Sequence, residues 1–456
     1  MMVHLPYGKT LIKFDAAGAC VLTSRIDRLK DDGNGSEIVR KAMEHPIDSP
    51  KLSELAEGKR SAVIIVSDHT RPVPSRDILP HMLRQLRQGN PSIDITLLVA
   101  TGFHRHTTQR ELIDKMGEKI AKHEKIVVHD SRDASANVQI GILPSGAPLV
   151  IDRLAAKADL LVSEGFIEPH FFAGFSGGRK SVLPGICDQV TVLGNHCGRF
   201  IDSPYSRTGI LDFNPIHMDM LAAAKLAGLA YIVNVIIDEN KKTVAAFAGN
   251  YATAHRAGCD FLKDYCMVDP VPADIVITTN GGAPMDQNLY QCVKSMTAAE
   301  AAAKPGGVII ECAECLDGTG GDSFYRALKE CESPQALYEQ FVRTPQADTI
   351  PDQWEAQILA RVLRSHRVIL VSRPGMEQIA RDMKMEYAKT LSEAVETARG
   401  YTGTHASITV IPNGIAVIVK QSPGQSGQKG FDRTAVSSRE YPCLHREKTM
   451  RSCEME

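Results

Sequence analysis

Four blocks of this chain gather side chains suited to acid–base, anion-binding and metal chemistry. They are Ser67-Asp68-His69-Thr70-Arg71, Thr101-Gly102-Phe103-His104-Arg105, the run from His170 to Ser181, and Leu193-Gly194-Asn195-His196. His104 and His170 each follow an apolar run and precede a loop. Imidazole titrates near neutral pH, so two of them facing one substrate can act as acid and base in turn. Interconverting two enantiomers needs that arrangement, with a base on each face of the stereocentre. One loop histidine alone is more often a surface or hydrogen-bonded residue; two in equivalent places bring the odds near even. His196 offers an imidazole nitrogen to a borderline metal, against the plainer reading of a histidine at a helix end. Arg71 carries the planar fork that binds both carboxylate oxygens, and Lys294 adds a point charge.

In Ser176-Gly177-Gly178-Arg179-Lys180-Ser181 the glycine pair allows close backbone approach, with amide groups free to point at a bound anion. The spacing is not that of a P-loop. The competing reading is a glycine-rich turn with two solvated cations. Tyr290, Gln291 and Lys294 share one helix face by their i,i+3 and i,i+4 spacing, where a solvated face is the plainer reading. Cys312-x-x-Cys315 stands alone and reads as structural; Cys187 and Cys197 have no partner at zinc spacing.

These side chains need strand ends to hold them. Ser61–Val66 is a continuous apolar run, the mark of a strand covered on both faces, and it stops before Pro72 and Pro74. Strands are expected at 93–100, 125–128 and 159–162, the last breaking at Ser163-Glu164-Gly165. Thr108-x-x-Glu111 reads as a capping box. In open α/β sheets ligands sit beyond the carboxyl ends of strands, so Asp68, Arg71, His104, His170 and Lys180 are expected around one crevice. The fold class expected is α/β: two α/β domains with largely parallel sheets and an active-site cleft between them. Residues 1–268 form the first, Val268-Asp269-Pro270-Val271-Pro272 the linker, and 274–420 the second. Residues 407–419 read as two strands about an Asn413-Gly414 hairpin turn. From 421 to 456 the chain is polar and aperiodic and reads as a disordered tail.

The 456 residues suffice for two or three domains, and 43% hydrophobic with 23% charged residues is ordinary for a globular protein. A net charge of -2 without a basic run points away from nucleic acid and membrane surfaces. The start lacks an apolar signal core, and no 18 apolar residues run together, so a cytoplasmic location is expected. Eleven scattered cysteines favour free thiols.

The blocks SDHTRPVPS, ATGFHR, DLLVSEGFIEPHFFAGFSGGRKSVLPGI and LGNH, in that order, resemble those of the nickel-pincer-nucleotide-dependent lactate racemase family. The resemblance covers most of Ser61 to about Val419. It implies a racemase of small 2-hydroxy acids, lactate first among them, working by hydride transfer. The reagent implied is nickel held by pyridinium-3,5-bisthiocarboxylic acid mononucleotide, joined to a lysine as a thioamide. By the same resemblance Lys180 matches that lysine, His196 the protein ligand to nickel, and His104 and His170 the acid/base pair. Arg71, Lys294, Tyr290 and Gln291 match substrate-side residues, and Trp354 an aromatic near the site. Asp68 lies in a cofactor-contacting block, and a nucleotide phosphate suits Ser176, Gly177 and Gly178. Cofactor-synthesis proteins are implied as transient partners. Two other classes stay open: a non-catalytic carrier of nickel or nucleotide, and a metal-dependent hydrolase using Asp68, His104, His170 and His196 as a cluster.

Overall fold

Apolar runs bounded by turn signals build two six-stranded sheets in the computed structural model, which describes residues 1–29 and 34–420. The first sheet runs in the order Thr243–Gly249, Leu229–Ile237, Leu160–Phe166, Ser61–Ser67, Asp94–Ala100, Lys125–Val128. Only its Thr243–Gly249 edge strand is antiparallel. The second is parallel throughout: Glu386–Ala388, Arg367–Val371, Ala303–Cys312, Ala273–Thr279, Ile408–Ile411, Cys20–Val21. Helices cover both faces, so central strands are buried on both: Ala62–Val66 and Ile275–Ile277 are fully enclosed. Each such Val or Ile side chain contributes about 1.5–3 kcal/mol relative to exposure. Among the described residues no helix is long and apolar enough to cross a membrane.

Three expectations are corrected. The strand that starts near Asp159 does not break at Ser163; it continues, buried, to Phe166. Glu164 is tolerated there because its Oε1 accepts the Ser75 hydroxyl at 2.7 Å, with the Ser67 amide more distant at 3.4 Å. Asn413-Gly414 is not a hairpin turn. Ile408–Ile411 lies in the second sheet, whereas Ile418–Val419 pairs in parallel with Met267–Val268. A Cβ on Gly414 would sit 2.7 Å from that of Ser295, so this glycine serves helix packing. The first twenty-odd residues, grouped above with the N-terminal unit, join the second sheet instead. Cys20–Val21 pairs with Ile408–Ile411, and Leu5 packs with Ile275 and Ile277. The tail from 421 lies outside the described residues.

Candidate active site

Each sheet reverses its strand order once. In the first sheet the switch falls between Ser61–Ser67 and Leu160–Phe166, and in the second between Ala273–Thr279 and Ile408–Ile411. Such switch points open a crevice at the carboxyl ends of strands. Here the loops beyond both sheets line one cavity of about 430 Å³. It brings together Asp68, Arg71, His104, His170, Ser176, Gly177, Gly178, Lys180 and His196 with Tyr290, Gln291, Lys294 and Trp354 from the second unit. The loop after Lys125–Val128 does not take part: His129 is buried on Asp152 at 3.0 Å.

The two loop histidines are set up differently. His104 is partly exposed at the cavity wall, and its Nδ1–H donates to Asp68 Oδ2 at 2.6 Å, leaving the Nε2 lone pair free. Asp68 is 1% exposed, and burial alone would push its carboxyl up. Hydrogen bonding and charge from His104, the Arg71 guanidinium and the Thr70 hydroxyl outweigh burial and hold it below the usual range. His170 Nδ1 instead accepts the Ala173 amide at 3.3 Å, which puts the proton of the neutral ring on Nε2. That nitrogen is 3.4 Å from Lys180 Nζ. An Nε2–H needs an acceptor, so the geometry calls for Lys180 as a neutral amine. Burial, then neighbouring cations, push both groups the same way: His170 lies well below its usual range, under Lys294 and Arg71, and Lys180 lies well below its own, under Arg179, Arg71 and Lys294.

His196 caps the helix Gln189–Asn195 and donates its Nδ1–H to the Val192 carbonyl at 3.0 Å. This fixes the tautomer with the lone pair on Nε2, the form that binds a metal. Trp354 and Phe172 enclose the ring, at centroid distances of 5.0 and 5.2 Å. Burial lowers its pKa to about 3, so it stays neutral across the working range. Among the described residues no three His, Cys, Asp or Glu converge to hold a metal ion, so the hydrolase cluster does not form.

Sequence reasoning missed the acids. Glu355, 1% exposed, lines the same cavity, and burial raises its carboxyl to about 8, with Lys294 opposing. Glu168, raised by burial, also feels Lys294 and Arg71. Burial and Arg71 lower Lys294, whose Nζ donates to Gln291 Oε1 at 2.6 Å. A signal for Glu355 was available: it sits three, four and seven residues before Ile358, Leu359 and Val362, on an apolar helix stripe where a carboxylate is out of place.

Comparisons with known proteins identify the family. Residues 7–209 match the lactate racemase N-terminal domain profile, and 268–419 the lactate racemase C-terminal domain profile. Over 422 residues, 92% of this chain and 99% of the relative, it is 51% identical to a lactate racemase of Thermoanaerobacterium thermosaccharolyticum. The chain belongs to the lactate racemase family. A lactate racemase of Lactiplantibacillus plantarum is 52% identical over 421 residues, with 92% and 99% covered. The lactate racemase apoprotein structure from T. thermosaccharolyticum superposes with a TM-score of 0.89 at 51% identity, covering 92% of this chain and all of that one. A Thermotoga maritima crystal structure at 17% identity and TM-score 0.62, covering 86% and 98%, shares the fold alone. The match begins at residue 7, well before the Ser61 at which the sequence resemblance started.

In this member of the lactate racemase family two of the amides expected to point at an anion are already taken. The Gly178 amide donates to Asn234 Oδ1 at 2.6 Å, and the Ser176 amide to the Glu168 carbonyl. Both glycines have positive φ, and a Cβ on Gly178 would meet the His255 ring at 2.6 Å. Arg179 is fully buried rather than solvated; it donates to the Phe175 and Ala173 carbonyls, both at 2.7 Å. The pair therefore serves to fold the loop tightly enough to aim Lys180 inward.

A buried acid backs the helix that carries His196. Asp219 Oδ1 accepts the Ser145 amide at 3.1 Å, while Oδ2 has no partner, and burial raises the carboxyl from 3.8 to about 6. The folded state thus holds this proton more tightly than the unfolded one. Its contribution is full below about pH 4 and is lost as pH rises through about 6, by ~2–3 kcal/mol. Asp219→Asn keeps the acceptor and removes the titration. It should melt higher than the parent at pH 8, with the gap closing by pH 4; thermal melts across that range check it.

Proposed function

We propose that the chain racemises lactate or a closely related small 2-hydroxy acid, with a nickel-bearing pyridinium mononucleotide attached through Lys180. The observation that carries this reading is the single cavity in which His104, His170, Lys180 and His196 meet beside Arg71 and Lys294. The residues fit such a cofactor: His196 keeps an Nε2 lone pair, Lys180 is set up as a free amine, and the cluster of cations suits an anionic occupant. When bound, that group would accept the C2 hydrogen of the substrate together with its electrons and return it. The chain's own residues do the rest. Arg71 and Lys294 neutralise and orient the carboxylate, with Gln291 and Tyr290 beside them. One histidine takes the hydroxyl proton and the other serves the opposite enantiomer. Asp68 keeps the His104 ring turned with Nε2 outward, where it can take a proton. Trp354, Phe172 and Phe103 exclude water.

The two sheets are proposed to act as two domains about the 268–272 linker, with residues 1–22 moving with the second. The nine described cysteines are free, which fits a reducing, cytoplasmic setting. Proteins that make the cofactor are proposed as transient partners. The test is a chiral assay of a 2-hydroxy-acid panel with cofactor-loaded protein: lactate should lose its optical purity, whereas loaded protein that racemises no member refutes the reading. Arg71→Lys keeps the charge but loses the fork, so kcat/KM should fall about 10- to 100-fold, the equivalent of one charge-assisted hydrogen bond. Steady-state kinetics measure it, and an unchanged value assigns carboxylate binding elsewhere.

A further inference from the structure

His196 belongs to the first unit, yet the turn that carries it is gripped from the second. Gln346 Nε2 donates to the Gly194 carbonyl at 2.8 Å, and Gln357 Nε2 donates to the Gly198 carbonyl at 2.9 Å. These are the residues two before and two after the imidazole. Only an amide N–H can face a carbonyl, so the orientation of both glutamine ends is settled by their partners.

The contact is built closely. A Cβ on Gly198 would lie 1.9 Å from the Phe341 carbonyl oxygen, and one on Gly194 would lie 2.6 Å from the Ala147 Cβ. Glycine at 198 lets the second unit's helix reach the backbone of the turn, while Gly194 seats the turn on Ala147 of its own unit. Gln357 is fully buried and its Oε1 has no partner, so the chain tolerates an unpaired acceptor to keep Nε2 on Gly198. One turn before Gln357 on the same helix, Gln353–Ser365, Trp354 packs on the His196 ring itself. Backbone and ring of His196 are thus held by one rigid element of the other unit.

We propose that Gln346 and Gln357 are positioning residues for His196: through the Gly194 and Gly198 carbonyls they set where its Nε2 points, and so how firmly it holds a metal. The inference rests on the reading of His196 as the nickel ligand. Groups that orient a metal-binding histidine typically change metal retention about 10- to 100-fold when removed. Gln346→Met and Gln357→Met preserve volume and lose the donor.

The experiment uses cofactor-loaded protein challenged with excess EDTA, well below the melting temperature of each variant. Nickel is followed by metal analysis, and the nucleotide on Lys180 by intact mass. Both Met variants should lose nickel at least ~10-fold faster than the parent while the covalent mass increment stays. Gln346 is half-buried at the edge of the contact, so Gln346→Lys can restore a donor and should return retention to within about threefold of the parent. A merely structural role would lower the melting temperature without separating metal from nucleotide. The emission of Trp354, the one tryptophan in the chain, reports on the His196 face and should shift in Gln357→Met. Nickel loss at the parental rate in folded variants overturns the proposal, as does equal loss from Gln346→Lys and Gln346→Met. If Gln357→Met does not fold, the Gln346 pair decides alone. Parent protein that takes up nucleotide but never nickel overturns the reading of His196, and this inference with it.

Discussion

Lys180→Ala should carry no mass increment after exposure to mature cofactor, and racemisation should fall to background. Attachment needs an unprotonated amine, and ordinary lysines at neutral pH are almost wholly ammonium. Lys180 escapes that limit because it is buried, lies near Arg179, Arg71 and Lys294, and sits 3.4 Å from a histidine nitrogen that has a proton to donate. Burial of an unpaired cation is costly, so the site selects the neutral form. Lys180→Arg separates charge from nucleophilicity: it retains a cation and should also show no increment. Folding should survive both changes, since Arg179, not Lys180, ties the loop together through backbone carbonyls. An intact-mass spectrum in which Lys180→Ala gains the parental adduct refutes the anchor.

His104→Ala and His170→Ala should each keep the covalent nucleotide yet lose about 10²- to 10⁴-fold in racemisation, the usual worth of a general acid–base group. The accompanying isotope result is the sharper one. Lactate deuterated at C2 should racemise in ordinary water with its label largely retained, because the proposed bases act on the hydroxyl and not on carbon. Removing the C2 hydrogen as a proton would leave a carbanion next to a carboxylate, with only Arg71 and Lys294 to stabilise it. Rapid washout of the label would show that this happens nonetheless and would end the hydroxyl-base assignment. Asp68→Asn should fall between parent and His104→Ala. The amide can still touch the ring, but it no longer gives a dependable hold on the tautomer.

Much of this site was readable in order along the chain. Thr108 and Glu111 do form the reciprocal cap expected of them, and Tyr290, Gln291 and Lys294 share the face that their spacing requires. His104 and His170, which line the cavity, stand beyond strand ends because continuous apolar runs announce buried parallel strands, and ligands gather where those runs stop. The hairpin Met2–Tyr7/Thr10–Asp15 escaped notice because its exposed side alternates weakly, although Gly8-Lys9 was a turn signal.

What local pattern cannot convey is which carbonyl or ring fills a glycine's missing side chain. Gly178 looked like a place for an anion and proved to be a place for His255; Gly414 looked like a turn and proved to be a seat for Ser295. Nor can it convey a histidine's tautomer. His104 and His170 have similar surroundings in sequence, but a carboxylate fixes one ring and a backbone amide the other. By itself, then, the sequence determined the α/β class, the approximate place of the central strands and which polar side chains stand beyond them, since these follow from periodicity and residue chemistry over a few neighbours. Only the tertiary structure decided which unit owns the first twenty residues, that buried acids flank Lys294, and that His196 is held from across the cavity. Those depend on contacts between segments more than fifty residues apart, and the burial that shifts His170, Lys180, His196 and Glu355 exists only once those segments have packed.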